Sequence, residues 1–295
     1  MPELPEVETQ VRDLQKIVGK RILELSSDTK KAFWPAFSAF RKKILGKHIL
    51  AVNRRAKYVV FTLGLTPEIS PIGVKDRLRG LTSVSKTQKL VVHFRMTGHF
   101  LLAKSAKALE KTVRHQFKLS HNTWLQFSDI RKFGTLVLCD NNSYEKICGI
   151  TKLGPEPLAR EFTLSKLREL LKSRKGMLKA LLLDQSFIAG IGNIYADEIC
   201  FGTQIHPASR VEKLSKQDVK NIFREIKKQL RKGIKNRGTT IGEYVDTQGK
   251  RGKNQFSLMA YKRHGKPCKV CGTKLRKMKI QQRTTTFCVK CQKKP

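Results

Sequence analysis

Met1-Pro2-Glu3-Leu4-Pro5-Glu6 puts a proline directly after the initiator methionine and two carboxylates close behind it. Proline is small enough to permit methionine removal, which leaves a secondary amine at the chain start. An N-terminal amine titrates at about pH 8, so part of it is unprotonated and nucleophilic at neutral pH. Attack by such an amine on an aldehyde-like carbon gives a permanently cationic iminium, an electron sink. Glu3 stands next to that amine and is suited to give or take a proton at the same carbon. The segment also reads as an ordinary helix start, with Pro5 in the first turn and Glu6 and Glu8 complementing the dipole. Taken alone, the nonapeptide ending Val7-Glu8-Thr9 leaves both readings open.

A second group of residues suits metal chemistry. Cys268-x-x-Cys271 and Cys288-x-x-Cys291 are separated by sixteen residues, the spacing of a closed four-thiolate zinc site. Each close pair supplies one edge of the tetrahedron, and a β-hairpin brings the second pair round. One structural zinc per chain is expected, without a catalytic role. Cys139, Cys148 and Cys200 stand singly, and a total of seven cysteines suits a reducing cytoplasm better than a disulfide scaffold.

Lys and Arg number 61 against 23 Asp and Glu, a formal charge of +38 that calls for a polyanionic partner. Nucleic acid leads and an anionic membrane surface is the rival. No run of about 18 apolar residues exists and no signal peptide is recognisable, so a cytosolic protein without a membrane span is expected. An acidic first turn also argues against export.

The elements that must carry these residues follow from periodicity. Val7, Val11, Leu14 and Val18 recur at helical spacing, which predicts an amphipathic helix over 5–17. From about residue 20 to 140 the chain changes to short β-rich runs, such as Tyr58 to Leu63 and Leu90 to Phe94, which suggest a β-sandwich. Residues 64–88 form a long Gly/Pro/Ser-punctuated connection. Gly149, Gly154, Pro155 and Pro157 mark a boundary, and beyond it the pattern is helical. Val219, Ile222, Phe223, Ile226 and Leu230 define one face of a long helix, with Ser215 as its N-cap and Gly233 near its end. Residues 237–256, rich in Gly, Thr, Lys and Gln, read as a mobile loop. The expected class is α+β: a β-sandwich with an N-terminal helix over 1–148, a linker over 149–162, a helical domain over 163–255, and a β-hairpin zinc finger over 256–295.

The nonapeptide resembles the start of the formamidopyrimidine-DNA glycosylases, and similar segments recur in that family's order. They are Arg54-Arg55-Ala56-Lys57-Tyr58, Asp129 to Gly134, Leu153-Gly154-Pro155-Glu156-Pro157-Leu158, Gly190-Ile191-Gly192-Asn193-Ile194-Tyr195 and the four-cysteine finger. They span nearly the whole chain, and the resemblance implies that 1–148 is the catalytic domain and 163–255 a helix-two-turn-helix DNA-binding domain. The resemblance implies a bifunctional DNA glycosylase and lyase that removes oxidised purines such as 8-oxoguanine from duplex DNA. It implies that Pro2 attacks C1′ of the damaged nucleotide, that Glu3 is the acid/base partner, and that Glu6 supports the site. Successive β- and δ-elimination would then leave a one-nucleotide gap. Beyond structural zinc it implies no cofactor, and a monomer is expected.

The resemblance further implies that Lys57, Asn193 and Arg283 hold phosphates around a flipped nucleotide. Lys57 sits in a strand-like segment, where a lysine is otherwise merely solvated. The glycines beside Asn193 let backbone approach a phosphate, although a simple helix-helix turn fits the spacing as well. Arg283 is otherwise a surface arginine that offsets thiolate charge. Met96, Arg131 and Phe133 are implied to fill the vacated stack, whereas their residue types alone would place Met96 and Phe133 in a core. Ile130 and Lys132 depart from the usual family pattern, where proline and arginine are common, which puts the local turn and the opposite-base preference in doubt. Two other readings stay open. One is an endonuclease VIII-type enzyme for oxidised pyrimidines, against which Leu4 and the Leu153 to Leu158 segment speak. The other is a basic zinc-finger protein that binds nucleic acid without catalysis.

Overall fold

Alternating apolar and polar residues set up paired sheets in the first half of the chain, and helical spacing takes over in the second. The computed structural model describes residues 1–65, 87–105 and 111–295, so most of the 64–88 connection singled out in the sequence lies outside the described residues. The chain separates into two compact units. One comprises Met1–Pro2, Val7–Thr151 and Gly242–Arg251; the other comprises Glu3–Glu6, Lys152–Ile241 and Gly252–Pro295.

Through the first half the elements run α1 (Leu4–Leu14), β1 (Ile22–Ser27), β2 (Phe33–Trp34), α2 (Phe37–Ile44), β3 (His48–Arg55), β4 (Tyr58–Gly64), β5 (Gln88–His93), β6 (His99–Ala103), β7 (Val113–Leu119), β8 (Thr123–Ser128), β9 (Thr135–Asp140) and α3 (Tyr144–Ile147). Among the described residues, one sheet has the order β1-β7-β8-β6 and the other β2-β9-β5-β4-β3. Strand β7 shows the period-2 pattern most plainly, burying Val113, His115, Phe117 and Leu119 while the residues between them stay half exposed. The inner faces of the two sheets share one core in which Phe61 and Phe100 meet edge to face, ring centres 5.7 Å apart. Val7, Val11 and Leu14 of α1 join this core at the spacing the sequence gives them. The expected sandwich is present, with the N-terminal helix packed into it.

The second unit continues through α4 (Leu164–Lys172), α5 (Leu178–Leu183), α6 (Asn193–Gly202), α7 (Lys216–Lys235) and a hairpin of β10 (Arg276–Ile280) and β11 (Arg283–Phe287). A reciprocal cap starts α7: Ser215 Oγ accepts from the Asp218 amide at 3.1 Å, and the Asp218 carboxylate accepts from the Ser215 amide at 2.9 Å. Val219, Ile222, Ile226 and Leu230 bury its inner face. As the sequence predicts, Gly233 stands near the end of the helix, which closes at Lys235. A Cβ there would lie 2.3 Å from the Tyr195 hydroxyl, so the glycine makes room for that ring.

The segment 237–256, expected to be a mobile loop, is packed down. Thr239, Thr240, Asp246, Thr247 and Asn254 are all buried. Within the sandwich unit, the Thr247 carbonyl accepts from the Leu102 amide at 2.8 Å and its hydroxyl donates to Asp13 at 3.0 Å. The short polar side chains that look loop-like in sequence instead satisfy buried backbone and one another. No helix among the described residues is long and apolar enough to cross a membrane.

Candidate active site

Helix α6 begins at a place prepared for a carboxylate. The backbone N–H groups of Gly192, Ile194 and Tyr195 donate to Glu3 at 2.7, 2.9 and 3.3 Å, occupying both its oxygens. These are the donors that a helix start leaves without intrahelical partners, and the helix dipole also favours an anion there. Glycine is required for the fit. A Cβ on Gly192 would fall 2.4 Å from the Glu3 carboxyl carbon, and one on Gly190, at φ +93°, would meet Leu4 at 2.7 Å. The Leu4 amide donates to the Gly190 carbonyl at 3.0 Å, closing the join. Gln185 staples the turn, accepting from the Gly190 amide at 3.0 Å and donating to the Ile191 carbonyl at 2.7 Å. The glycines therefore admit the N-terminal segment. Pro2 is itself buried, one peptide bond before Glu3.

Glu6 lies in a second buried network of the same unit. It accepts from the Glu3 amide at 2.9 Å, the Tyr195 hydroxyl at 2.9 Å and the Thr239 amide at 2.7 Å. Burial, reinforced by the neighbouring Glu3 charge, raises its pKa to about 7 despite these donors. Asn254 donates to Thr239 at 2.9 Å and completes the ring of polar groups. In the sequence Tyr195 stands out only as the last residue of a motif. Its hydroxyl is invisible to hydrophobic periodicity because it enters the core beside Gly233.

In the sandwich unit, Lys57 occupies the two-residue turn between β3 and β4, where Arg55 pairs with Tyr58, and so departs from the strand-like setting expected. Ala56 takes φ +52°, and Lys57 is 7 % exposed. Arg54 braces that turn by donating to the Ala56 carbonyl at 3.2 Å and to Glu8 of α1 at 2.8 Å. His93 at the end of β5 packs edge to face on Tyr58, and its Nδ1 accepts from the Arg95 amide at 3.0 Å. Burial, then the Arg95 and Lys57 cations, lowers its pKa to about 3, so it stays neutral. Lys57 and the Arg95-Met96 turn thus share His93 as a neighbour.

Met96 and Phe133 are 38 % and 53 % exposed, which overturns the core alternative for both. Arg131, also exposed, lies over the Phe133 ring at 4.8 Å. Beneath them Asp129, 1 % exposed, ties the two loops together. It accepts from the Gly134 amide at 2.7 Å and the Arg131 amide at 3.2 Å, and from the Thr97 hydroxyl next to Met96. Gly98 and Gly134 leave room for the Phe127 ring, which a Cβ would meet at 2.8 and 2.5 Å. Lys132 takes φ +56°, so the turn forms without the usual proline and arginine.

Asn193 and Arg283 come together through the hairpin. Asn193 Nδ2 donates to the carbonyl of Thr284 at 3.2 Å, one residue beyond the exposed Arg283. The same carbonyl accepts from Lys179 at 3.1 Å, and Lys179 forms a buried ion pair with Asp197 of α6 at 2.6 Å. Asp197 in turn accepts from the Thr286 amide at 3.1 Å. This pins β11 to α6. Gln281 and Gln282 both have positive φ, which gives the tight turn presenting Arg283.

The Sγ atoms of Cys268, Cys271, Cys288 and Cys291 lie within 4.8 Å of one another. Tetrahedral zinc with bonds of about 2.3 Å separates its sulfurs by about 3.8 Å. The observed 3.9 Å for Cys268–Cys291 and 3.5 Å for Cys271–Cys288 fit. The four thiols are positioned to hold one structural zinc, and Cys139, Cys148 and Cys200 stand outside the cluster.

Three family models match in succession: the formamidopyrimidine-DNA glycosylase N-terminal domain over residues 1–136, the formamidopyrimidine-DNA glycosylase H2TH domain over 153–245, and a zinc finger found in FPG and IleRS over 265–294. The formamidopyrimidine-DNA glycosylase of Protochlamydia amoebophila is 37 % identical over 306 residues, covering 100 % of both chains. That of Ligilactobacillus salivarius is 37 % identical over 293 residues, with 99 % of each covered. Among solved structures, Lactococcus lactis Fpg (MutM) in complex with N7-benzyl-Fapy-dG containing DNA has a TM-score of 0.85 and 32 % identity, covering 99 % of this chain and 100 % of that one. MutM in complex with carbocyclic 8-oxo-G containing DNA has a TM-score of 0.84 and 33 % identity with the same coverage.

Proposed function

The chain belongs to the formamidopyrimidine-DNA glycosylase family, and on that premise we propose that Pro2, Glu3 and Lys57 carry its excision of oxidised purines from duplex DNA. The protein is a DNA glycosylase of base excision repair. Once Met1 is removed, the Pro2 nitrogen attacks C1′ of a flipped nucleotide. The bond from C1′ to the base breaks, and the base leaves with that electron pair and a proton. Glu3 protonates O4′ as the sugar opens, leaving an iminium between Pro2 and C1′. Loss of the C2′ proton then expels the 3′ phosphate, and a second elimination expels the 5′ phosphate.

The observation that carries this reading is the seat of Glu3: a carboxylate adjoining Pro2 and fixed by three backbone donors at the start of α6. Such preorganisation aims the acid before substrate arrives. Glu6, held by Tyr195 and Thr239, supports that N-terminal turn. Lys57, Asn193 and Arg283 grip phosphates. Met96, Arg131 and Phe133, exposed on braced loops, fill the gap left by the flipped nucleotide and face its orphaned partner. Zinc on the four thiolates keeps the hairpin of Arg283 folded. We take the 1–148, 149–162, 163–255 and 256–295 segments as catalytic domain, linker, DNA-binding domain and finger. The working form is a cytoplasmic, nucleoid-bound monomer.

Borohydride trapping on a duplex with 8-oxoguanine opposite cytosine tests the reading. The wild-type protein should form a covalent adduct, and Pro2→Gly should form none while still binding duplex. Nicking by protein that retains Met1 would overturn the Pro2 mechanism. Trapping confined to oxidised pyrimidines would favour the endonuclease VIII-type alternative.

A further inference from the structure

Lys220, Arg224, Lys228, Arg231 and Lys235 are exposed along α7 at intervals of four, four, three and four residues, so they share one outward face. Only Lys228 among them has a carboxylate partner among the described residues, Glu225 at 3.2 Å. Lys227 flanks the stripe and lies over the Phe223 ring at 4.6 Å. Burial, and after it the Arg231 charge, lowers its pKa. Beside this face runs an open groove of about 620 Å³, lined by Arg224, Lys227, Lys228 and Arg231 and closed by Thr203 and Gln204 after α6.

This surface lies at the far end of α6 from Asn193. The nine helical steps from Asn193 to Gly202 correspond to about 14 Å. The lesion-binding residues of the second unit therefore do not account for it. Like charges three and four residues apart repel one another on a helix, and α7 tolerates them because its opposite face is buried. A partner with regularly spaced negative charge relieves that repulsion. The exposed stripe carries no apolar side chain to enter a bilayer, which favours a phosphodiester backbone over a lipid surface.

We propose that the α7 face is a second DNA-binding surface, which holds the backbone of another duplex segment while the lesion site is engaged. It gives part of the +38 charge a function separate from excision. The protein could then pass between DNA segments without being released from both.

The test is co-capture with the full-length zinc-loaded protein. A biotinylated duplex containing an abasic-site analogue is immobilised, and a labelled undamaged duplex is offered as the second segment. Wild type should retain the label, and Lys220→Gln/Arg224→Gln/Arg231→Gln should retain at least about tenfold less. The variant's salt slope on undamaged DNA should fall by roughly two to three, at about 0.9 for each phosphate that is no longer neutralised. Its single-turnover excision should be unchanged, and Lys220→Arg/Arg224→Lys/Arg231→Lys should restore capture. Equal label retention by wild type and the Gln variant, or capture of an RNA duplex in preference to DNA, would overturn the proposal. The experiment rests on the lesion-site reading only at its first step. Failure to hold the protein on the immobilised duplex counts against that reading, and failure to hold the label counts against this one.

Discussion

Glu3 and Glu6 are 2 % and 1 % exposed and accept from backbone N–H groups, whereas Met96 and Phe133 are 38 % and 53 % exposed on loops tied from below by Asp129. The acids are fixed by donors that reach them directly, so their geometry is set before any DNA arrives. The apolar side chains are part exposed, and Asp129 fixes the backbones of the loops that carry them. A proton-transfer group must be aimed at one atom, where displacement by an ångström is costly. The wedge role proposed for Met96 and Phe133 calls for freedom to enter a stack, which fits support that reaches their loop backbones. Changes in the first region should therefore disturb chemistry and stability together, and changes in the second should separate them.

Glu3→Gln tests the first half most severely. An amide cannot deliver the proton and turns an N–H donor toward the α6 amides. Base excision should fall by roughly two to four decades, and the melting temperature should fall with it. Cleavage at a pre-formed abasic site should suffer less, because its glycosidic bond is already broken. Equal loss on both substrates would remove the glycosylase-specific role of this acid.

Gly192→Ala probes the same region without touching a titratable group. The added methyl would sit 2.4 Å from the Glu3 carboxyl carbon, so the acid must shift. Excision should fall by about two decades through misplacement alone. Single-turnover rates and thermal melting should both respond. If neither changes, the seat of Glu3 is not what positions it.

Phe133→Ala should sharpen the contrast. Its exposure predicts a stability change within about 0.5 kcal/mol, while duplex excision should slow by roughly one to two decades because unstacking loses its wedge. An abasic duplex, already flexible, should be cut at nearly the normal rate. Arg131→Ala should also weaken discrimination between opposite bases. A sharp drop in melting temperature for Phe133→Ala would make it a packing residue after all.

What the sequence reveals of these regions depends on how locally each signal is written. Pro2 beside Glu3, the paired C-x-x-C motifs and the Ser215 cap are short-range patterns whose chemistry is carried by residue type and spacing. The donors to Glu3 lie 189 to 192 residues away, and no local pattern reports them. For the same reason spacing does not report that Gly192 makes room for the Glu3 carboxylate, or that Gly233 makes room for Tyr195. Lys57 looks strand-like because the turn holding it has only two residues and contains an alanine with φ +52°, a residue seldom used there. Met96 and Phe133 could be assigned outward only through resemblance, since apolar type alone argues for burial. Segment 237–256 misleads for the opposite reason. Its polar composition hides the fact that its side chains satisfy one another inside the fold.

The last comparison concerns the proton on Glu6. Burial places its folded pKa at about 7, above its ordinary value of 4.5, so the folded chain holds a proton that the unfolded chain has already released. The folded state binds more protons in that window, and its stability must therefore fall as pH rises through it. The contribution is fully present below about pH 4.5 and gone above about pH 7. Glu6→Gln removes this dependence but turns an amide donor toward the Glu3 amide, a fixed penalty of roughly 1 kcal/mol or more. The variant should be the less stable protein at pH 4, and the gap should shrink and then reverse as pH rises to about 7, because ionising the buried acid costs the wild type roughly 3 kcal/mol, more than the variant's fixed penalty. Denaturant titrations of both full-length proteins at unit pH intervals measure the gap directly, and effects of pH on the thiolates cancel between them. Phe133→Ala, in the exposed region, should show a gap that does not move with pH. If the Glu6→Gln gap is equally flat, the acid is not protonated in the folded chain, and the two regions differ in exposure without differing in proton linkage.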